Sequence, residues 1–401
     1  MSAVLWYPGQ QRLVPDAVAA SNCEVVDASG RRWFDLESGV WCTSLGHCHP
    51  RVAAVIAEQA GRYAHAGYNH GSAIVEEAAR AVLAVTGLEG GACAFLCSGS
   101  EAVEYVVQAA RPRMPRPLLL VMSDAYFGAY GAARQRDPGE WHVFDVAGCS
   151  GCREPACTER CRRWSELPVD RIGGFLLEPG SASGLVRFPP PTLVRAIAST
   201  LAASGGLLLV NEVTTGIGRT GVWFGYEHYG LAPDAVAMGK GIGNGYPVAV
   251  AAFGPRLAAS LAEAPLRYAQ SHQNDPLGAA VALEVIRTIE EEGLVERGRL
   301  LGERLLGALS AVAARHPSVR EVRGRGLMIA IELADDGELS RSRAVHLALA
   351  QRGFLVGRRT NAPVLRVDPS LTVTQDVLDA FVAALDAVLT EIERRDGLGR
   401  R

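Results

Sequence analysis

The stretch Leu209-Val210-Asn211-Glu212-Val213-Thr214-Thr215-Gly216-Ile217-Gly218-Arg219-Thr220-Gly221 is an apolar run that ends in polar residues and breaks into a glycine-rich turn. It reads as a buried strand presenting a polar group at its C-terminal end. The pattern returns at Ala235-Val236-Ala237-Met238, which runs into Gly239-Lys240-Gly241-Ile242-Gly243-Asn244-Gly245-Tyr246-Pro247. Ala94-Phe95-Leu96, Leu118-Leu119-Leu120-Val121 and Phe175-Leu176-Leu177 are further short apolar runs, and helical stretches separate all of them. Buried strands alternating with helices predict an α/β fold with a mainly parallel sheet, and such sheets gather ligand-binding groups beyond the C-terminal ends of their strands.

Outward from this centre, Val52, Val55 and Ile56 give residues 50–63 the spacing of an amphipathic helix, and a second helix is expected over 74–85. Residues 25–34 alternate around Ser29-Gly30 as a hairpin. A long helical pattern from Pro276 to about Ala313 leads to strands near Val322 and over Met328 to Leu333, then to a final helix from Thr374 to Arg395. Three units are predicted: residues 1–50 contributing to a smaller domain and the mouth of the site, 51–290 as the large domain, and 291–401 as the C-terminal small domain.

Five strand ends carry chemistry. Cys97-Ser98-Gly99-Ser100-Glu101-Ala102 opens a helix whose first N–H groups suit a phosphate, although Ser and Gly there also serve as an ordinary cap. In Asp124-Ala125-Tyr126-Phe127-Gly128 the tyrosine is placed to cover a flat ring or simply to pack. Glu178, in Leu177-Glu178-Pro179, either orients a ligand or caps the next helix. Asn211 and Lys240 end the other two strands. The chain is very poor in lysine, and a desolvated lysine amine is a nucleophile able to form a Schiff base with an aldehyde.

In this order the segments resemble the class III aminotransferase family (the omega, ornithine and 4-aminobutyrate types). The resemblance extends from Gly39-Val40-Trp41-Cys42 and Gly46-His47-Cys48-His49-Pro50 to Gly324-Arg325-Gly326-Leu327 and Leu365-Arg366-Val367. It implies fold type I, with a seven-stranded large-domain sheet and a smaller α+β domain, and pyridoxal 5′-phosphate as cofactor. Lys240 would be the Schiff-base lysine and proton shuttle. Gly99 and Ser100 would bind phosphate, Tyr126 would stack on the ring and Asn211 would face its nitrogen, with Glu178, Val213 and Thr214 completing the cofactor site. Ser271 falls where the family reaches the phosphate of a neighbouring subunit, which implies a homodimer with shared sites. Arg366 would hold a substrate carboxylate, and Val40, Trp41 and Tyr68 would line the pocket. The implied reaction passes an amino group from an amino acid donor to a ketone or aldehyde acceptor by a ping-pong route, in a setting of specialised metabolism.

The departures matter as much. Asn211 stands where the family usually has aspartate, so the charge that keeps the ring nitrogen protonated is missing. Thr214 replaces a common glutamine. Ser183 occupies the place of a glutamate that, in some members, gates the carboxylate-binding arginine. Asn211 leaves room for decarboxylation, epimerisation or oxidative deamination on the same cofactor, and for a weakly active homologue acting as a partner subunit. Cys149, Cys152, Cys157 and Cys161 are spaced C-x2-C-x4-C-x3-C, as four thiolates around zinc or an iron–sulfur cluster would be, or as a loop of free thiols. Some relatives carry cysteines in this loop. His47 and His49 read as structural.

Composition bounds the rest. A chain of 401 residues, 48% hydrophobic and 21% charged, can bury a large core. A net charge of -3 gives no field that would draw nucleic acid or an anionic membrane. Residues 1–4 show no basic-then-apolar leader and no run approaches membrane-spanning length, so a cytoplasmic enzyme is expected, with most of its nine cysteines reduced.

Overall fold

A computed structural model describes residues 3–6, 11–149, 152, 154, 156–158, 160–334, 337 and 339–398. The strands are β1 (Ala17–Ser21), β2 (Glu24–Asp27), β3 (Arg32–Asp35), β4 (Ala92–Leu96), β5 (Leu118–Met122), β6 (Trp141–Phe144), β7 (Ile172–Leu177), β8 (Leu207–Asn211), β9 (Ala235–Met238), β10 (Ala249–Phe253), β11 (Val319–Arg325), β12 (Met328–Leu333), β13 (Phe354–Leu355), β14 (Gly357–Arg358) and β15 (Val364–Val367). Seven form the large sheet in the order β4-β10-β9-β8-β7-β5-β6. From β9 through β6 the pairings are parallel, while β10 runs antiparallel to both β4 and β9. Hence β4, β5, β7, β8 and β9 all point the same way. Their C-terminal ends, with the five sequence features that follow them, lie along one edge.

The longer helices are α1 (Pro50–Arg62), α2 (Ala73–Val85), α3 (Gly99–Ala110), α4 (Pro191–Ala203), α5 (Pro255–Glu263), α6 (Pro276–Glu291), α7 (Leu294–Ala313), α8 (Ser340–Gln351) and α9 (Gln375–Arg395). Apolar residues on both faces of the sheet are buried, those of β5, β7 and β9 completely or nearly so, which is why these strands read as unbroken apolar runs. The helix expected from 276 to 313 is two helices. Gly293 sits between them at φ +60, a left-handed conformation that ends one and redirects the chain into the next.

A second sheet, β11-β12-β15-β14, carries Arg366 on β15, and a third joins β1-β2-β3 to β13. The parallel pairing of β3 with β13 ties the N-terminal hairpin to the C-terminal part of the chain. Opposite Arg366, β14 offers Gly357, where a Cβ would lie 2.6 Å from Arg366 Nη2, so only glycine leaves room for the guanidinium. No helix of the described residues is long and apolar enough to cross a membrane.

Candidate active site

Lys240 is the only lysine of the chain. It follows β9 in a left-handed conformation (φ +48), and its amine donates to Thr214 Oγ1 at 2.9 Å. Burial is the main cause lowering its pKa below the ordinary lysine value, which raises the share of neutral, nucleophilic amine. The Trp41 ring covers it, with Nζ 4.9 Å from the ring centroid, and the Arg366 guanidinium lies against the same ring at 3.8 Å.

Trp41 is set by an unusual turn. Ser38, Gly39, Val40 and Trp41 have φ of 44, 57, 60 and 65°, four successive left-handed residues that include a β-branched valine. Such residues cost about 1–2 kcal/mol each when they carry a Cβ, so the turn persists only where its surroundings enforce it. Asp35 does so by accepting the N–H groups of Glu37 and Gly39, both at 2.8 Å, and is itself bound by His47 Nε2 at 2.7 Å. His47 is thus structural. Arg219, fully buried, bonds Ser38 Oγ at 3.1 Å as well as the carbonyls of Leu327 and Pro369. The arginine of the glycine-rich turn therefore clamps the wall of the site.

Behind Lys240 a buried polar group links three strand ends. Asn211 Nδ2 donates to Tyr126 O at 3.0 Å and Glu178 Oε1 at 3.3 Å, while its Oδ1 accepts from Val213 N at 3.2 Å. Glu178 Oε2 accepts from the N–H groups of Tyr126 and Ala182, each at 3.1 Å. Burial pushes the Glu178 carboxyl up to about 8. This residue fixes the backbone beneath Tyr126 and the amide of Asn211, and it does not cap the next helix, Pro191–Ala203, whose N-cap is Pro190 with no side-chain cap. Tyr126 itself is 46% exposed, so a ring face remains free beside an otherwise buried floor.

The phosphate end fits an anion. Gly99 and Ser100 open the 12-residue helix α3, whose first N–H groups lack intrahelical acceptors. Gly99 is closely crowded, since a Cβ there would lie 2.6 Å from Val213 Cγ1. Gly128, at φ +119, packs so that a Cβ would lie 2.8 Å from Ser100 Oγ, and Ala129 N donates to that oxygen at 3.0 Å. Gly128→Ala is therefore expected to destabilise the protein by about 1–3 kcal/mol and to weaken cofactor binding, as a thermal melt and a titration of apoprotein will show. An unchanged melt would mean that the loop adapts freely.

Other sequence-predicted residues lie apart. Val40 is exposed at the strained turn, Tyr68 is 68% exposed in the loop after α1, and Ser271 is exposed in the loop before α6. Among the described residues no hydrogen bond ties Tyr68 or Ser271 to the Lys240 group. Ser183 is not on Arg366, because its Oγ turns to Ser181 at 3.4 Å. Glu37, which no motif singled out, takes the arginine instead.

The four-cysteine expectation finds no support. Among the described residues, only His65, His272 and Asp275 bring three or more potential ligand atoms within 4.8 Å of one another. Cys149, Cys152, Cys157 and Cys161 are free thiols that act on one another electrostatically but do not form such a group. Burial, and then the neighbouring thiols of the same loop, raise the pKa of Cys149 and Cys157. Ser150, Gly151, Arg153, Pro155 and Glu159 of the quoted loop lie outside the described residues.

Comparison with known proteins agrees with the geometry. The chain is 31% identical to an acetylornithine aminotransferase of Methanosarcina mazei over 374 residues, covering 90% of this chain and 88% of the relative. It is 28% identical to a leucine/methionine racemase of Thermococcus litoralis, covering 94% and 92%. A solved amine transaminase from an uncultivated Pseudomonas species, in its pyridoxal-phosphate-bound form, superposes with a TM-score of 0.85 at 26% identity over 98% of this chain and 99% of that one. The model of the family described as Aminotransferase class-III matches residues 7–133 and 145–389, and the chain belongs to that family of pyridoxal-phosphate enzymes.

Proposed function

We propose that Lys240 holds pyridoxal phosphate covalently and moves the proton by which an amino group passes from an amino acid donor to a carbonyl acceptor. The observation that carries this reading is the placement of the chain's single lysine, buried and with a lowered pKa, beside Thr214, Trp41 and the Asn211–Glu178 group. The bound cofactor supplies a ring that draws charge away from a substrate carbon as its proton leaves. Lys240 Nζ would accept that proton and return it to a carbon two atoms away, on the other side of one nitrogen. Trp41 excludes water from the amine, Tyr126 covers one ring face, and Gly99 and Ser100 bind the phosphate. Asn211 and Val213 meet the ring edge, with Thr214 steadying Lys240 and Glu178 holding Asn211 in place. Arg366 receives a substrate carboxylate, and Val40, Trp41 and Tyr68 border the substrate.

Ser271 supports a homodimer, because its assigned role at a phosphate suits an exposed loop only when it serves a second copy's site. Residues 1–50 and 291–401 form the smaller part of each subunit around 51–290, a division supported by the β3–β13 pairing. A cytoplasmic location suits nine free cysteines.

Borohydride reduction followed by peptide mapping tests the central assignment. With one lysine in the chain, the added mass should sit on the peptide containing Lys240, and a mass confined to the terminal amine would refute it. Amino donors and carbonyl acceptors, beginning with acetylornithine, should then exchange amino groups only in pairs. A second reading, racemisation at the same site, is favoured by the likeness to the racemase together with Asn211. Chiral chromatography of one enantiomer incubated without an acceptor separates the two.

A further inference from the structure

Two loops far apart in the chain bring imidazoles to one carboxylate. His65 Nδ1 lies 2.8 Å from Asp275 Oδ1, and His272 Nδ1 lies 2.6 Å from Asp275 Oδ2. His65 stands in the loop after α1 and His272 in the loop before α6, and 210 residues separate His65 from Asp275. Among the described residues this is the only group of three whose candidate ligand atoms fall within 4.8 Å of one another. Asp275 is the N-cap of α6, a position at which an aspartate oxygen ordinarily accepts an N–H of the helix's first turn, yet its side chain makes no capping bond. Both oxygens turn to the imidazoles instead, and Ala66 N donates to Oδ1 at 3.3 Å, which holds the carboxylate in that pose. The Asp275 side chain is 14% exposed, against 50% for His65 and 60% for His272, so a fixed acid meets two rings with room to turn.

We propose that His65, His272 and Asp275 form a binding site for a divalent transition-metal ion of the zinc type. Two imidazole nitrogens and one carboxylate oxygen are ligands that zinc accepts in a tetrahedral set, with water in the fourth place. Bonds of about 2.0–2.1 Å set tetrahedral ligand atoms about 3.3 Å apart, so the two contacts to Asp275 open by roughly half an ångström as the ion enters. The exposed rings supply that movement by turning. The ion takes the place of protons on Nδ1, and each neutral ring carries its proton on Nε2 instead. Beside the group lies a cavity of about 270 Å³ whose walls include Cys97, Tyr246, His272 and Asp275, which leaves room for the water. Once bound, the ion ties the loop after α1 to the loop that carries Ser271, one residue before His272. The site stands independently of the roles given to Lys240 and Ser271.

The test strips metal from the holoenzyme with a chelator, verifies by elemental analysis that no zinc remains, and titrates Zn²⁺ back in competition with a chromophoric chelator. Wild type should take up one zinc per chain at this site. His65→Gln and His272→Gln should each weaken that uptake by at least about tenfold, the scale on which losing even a group that orients a ligand is felt. Both rings are exposed, so neither change threatens folding. His70→Gln removes a nearby histidine that pairs with Tyr63 at 2.7 Å, and Cys152→Ser removes a thiol of the cysteine loop, and both should leave this uptake unchanged. Added zinc should raise Tm in wild type and leave it unmoved in His272→Gln, because only an ion that binds the folded site stabilises it. Uptake that survives both histidine changes and disappears in Cys152→Ser would put the ion on the thiols and overturn the assignment. So would a wild type that holds no zinc, or a loss confined to one of the two histidine variants.

Discussion

Lys240→Ala will lower turnover by about 10²- to 10⁴-fold or more, the range associated with removing a positioned general acid–base, while the protein still takes up pyridoxal phosphate without a covalent bond. The size of the effect follows from the absence of a substitute. No other side chain in the chain carries a lysine amine. Burial raises the pKa of the Cys42 thiol near Lys240, which leaves it protonated and unable to act as a base at neutral pH. Glu178 is occupied by two backbone N–H groups and Asn211. Loss of deuterium from the Cα of a labelled donor, followed over a single turnover, isolates the step, and an added small amine should restore part of it. A variant within tenfold of wild type would show that another group moves the proton.

Asn211→Asp has the second largest expected effect, in the opposite direction. A carboxylate facing the ring nitrogen adds a charge-assisted hydrogen bond of about 1.5–3 kcal/mol, so loss of Cα deuterium should quicken by roughly one to two orders of magnitude. The surroundings determine whether the change is tolerated. The Asn211 amide donates to Tyr126 O and Glu178, and an aspartate cannot. Glu178, however, is pushed up to about 8, so near pH 7 it is largely protonated and can itself donate to the new carboxylate. A folded pKa above the unfolded value means a contribution to stability that is present at low pH and lost as pH rises, here from the ordinary carboxylate range to about 8. The variant should therefore fold near neutrality and show a steeper fall in Tm than wild type as the pH approaches and passes 8. Unchanged or slower deuterium loss with cofactor bound would show that the amide does not limit the chemistry.

Much of this arrangement was legible in the chain because it is written locally. An apolar run and its polar terminus lie within one short segment, so Gly99, Tyr126, Glu178, Asn211 and Lys240 could each be placed at a strand end. Two strands of the large sheet escaped that reading. β6, Trp141–Phe144, is buried only at its two ends, lies at the sheet's edge and lacks a continuous apolar run. β10, Ala249–Phe253, is rich in alanine and runs against its neighbours, and alanine carries little strand signal. Glu37 was invisible for a different reason. Its partner Arg366 lies 329 residues away on a strand of a different sheet, so no spacing rule connects them. The cysteine loop is the opposite case, where a suggestive spacing finds no support in a group of ligand atoms within 4.8 Å of one another.

The reversed strand β10 also imposes an order in time. Among the described residues β4 has a single sheet neighbour, and that neighbour is β10. β4 ends at Leu96, and its partner begins only at Ala249. During synthesis the turn after β4 is therefore made early but has no sheet to join until residues 249–253 have left the ribosome. The sheet's other strands are all complete before then. A nascent chain stopped short of Phe253 would carry the ends of β8 and β9 while the turn after β4 still had no sheet partner, so the seating of that turn belongs to the last stage of the large sheet's assembly.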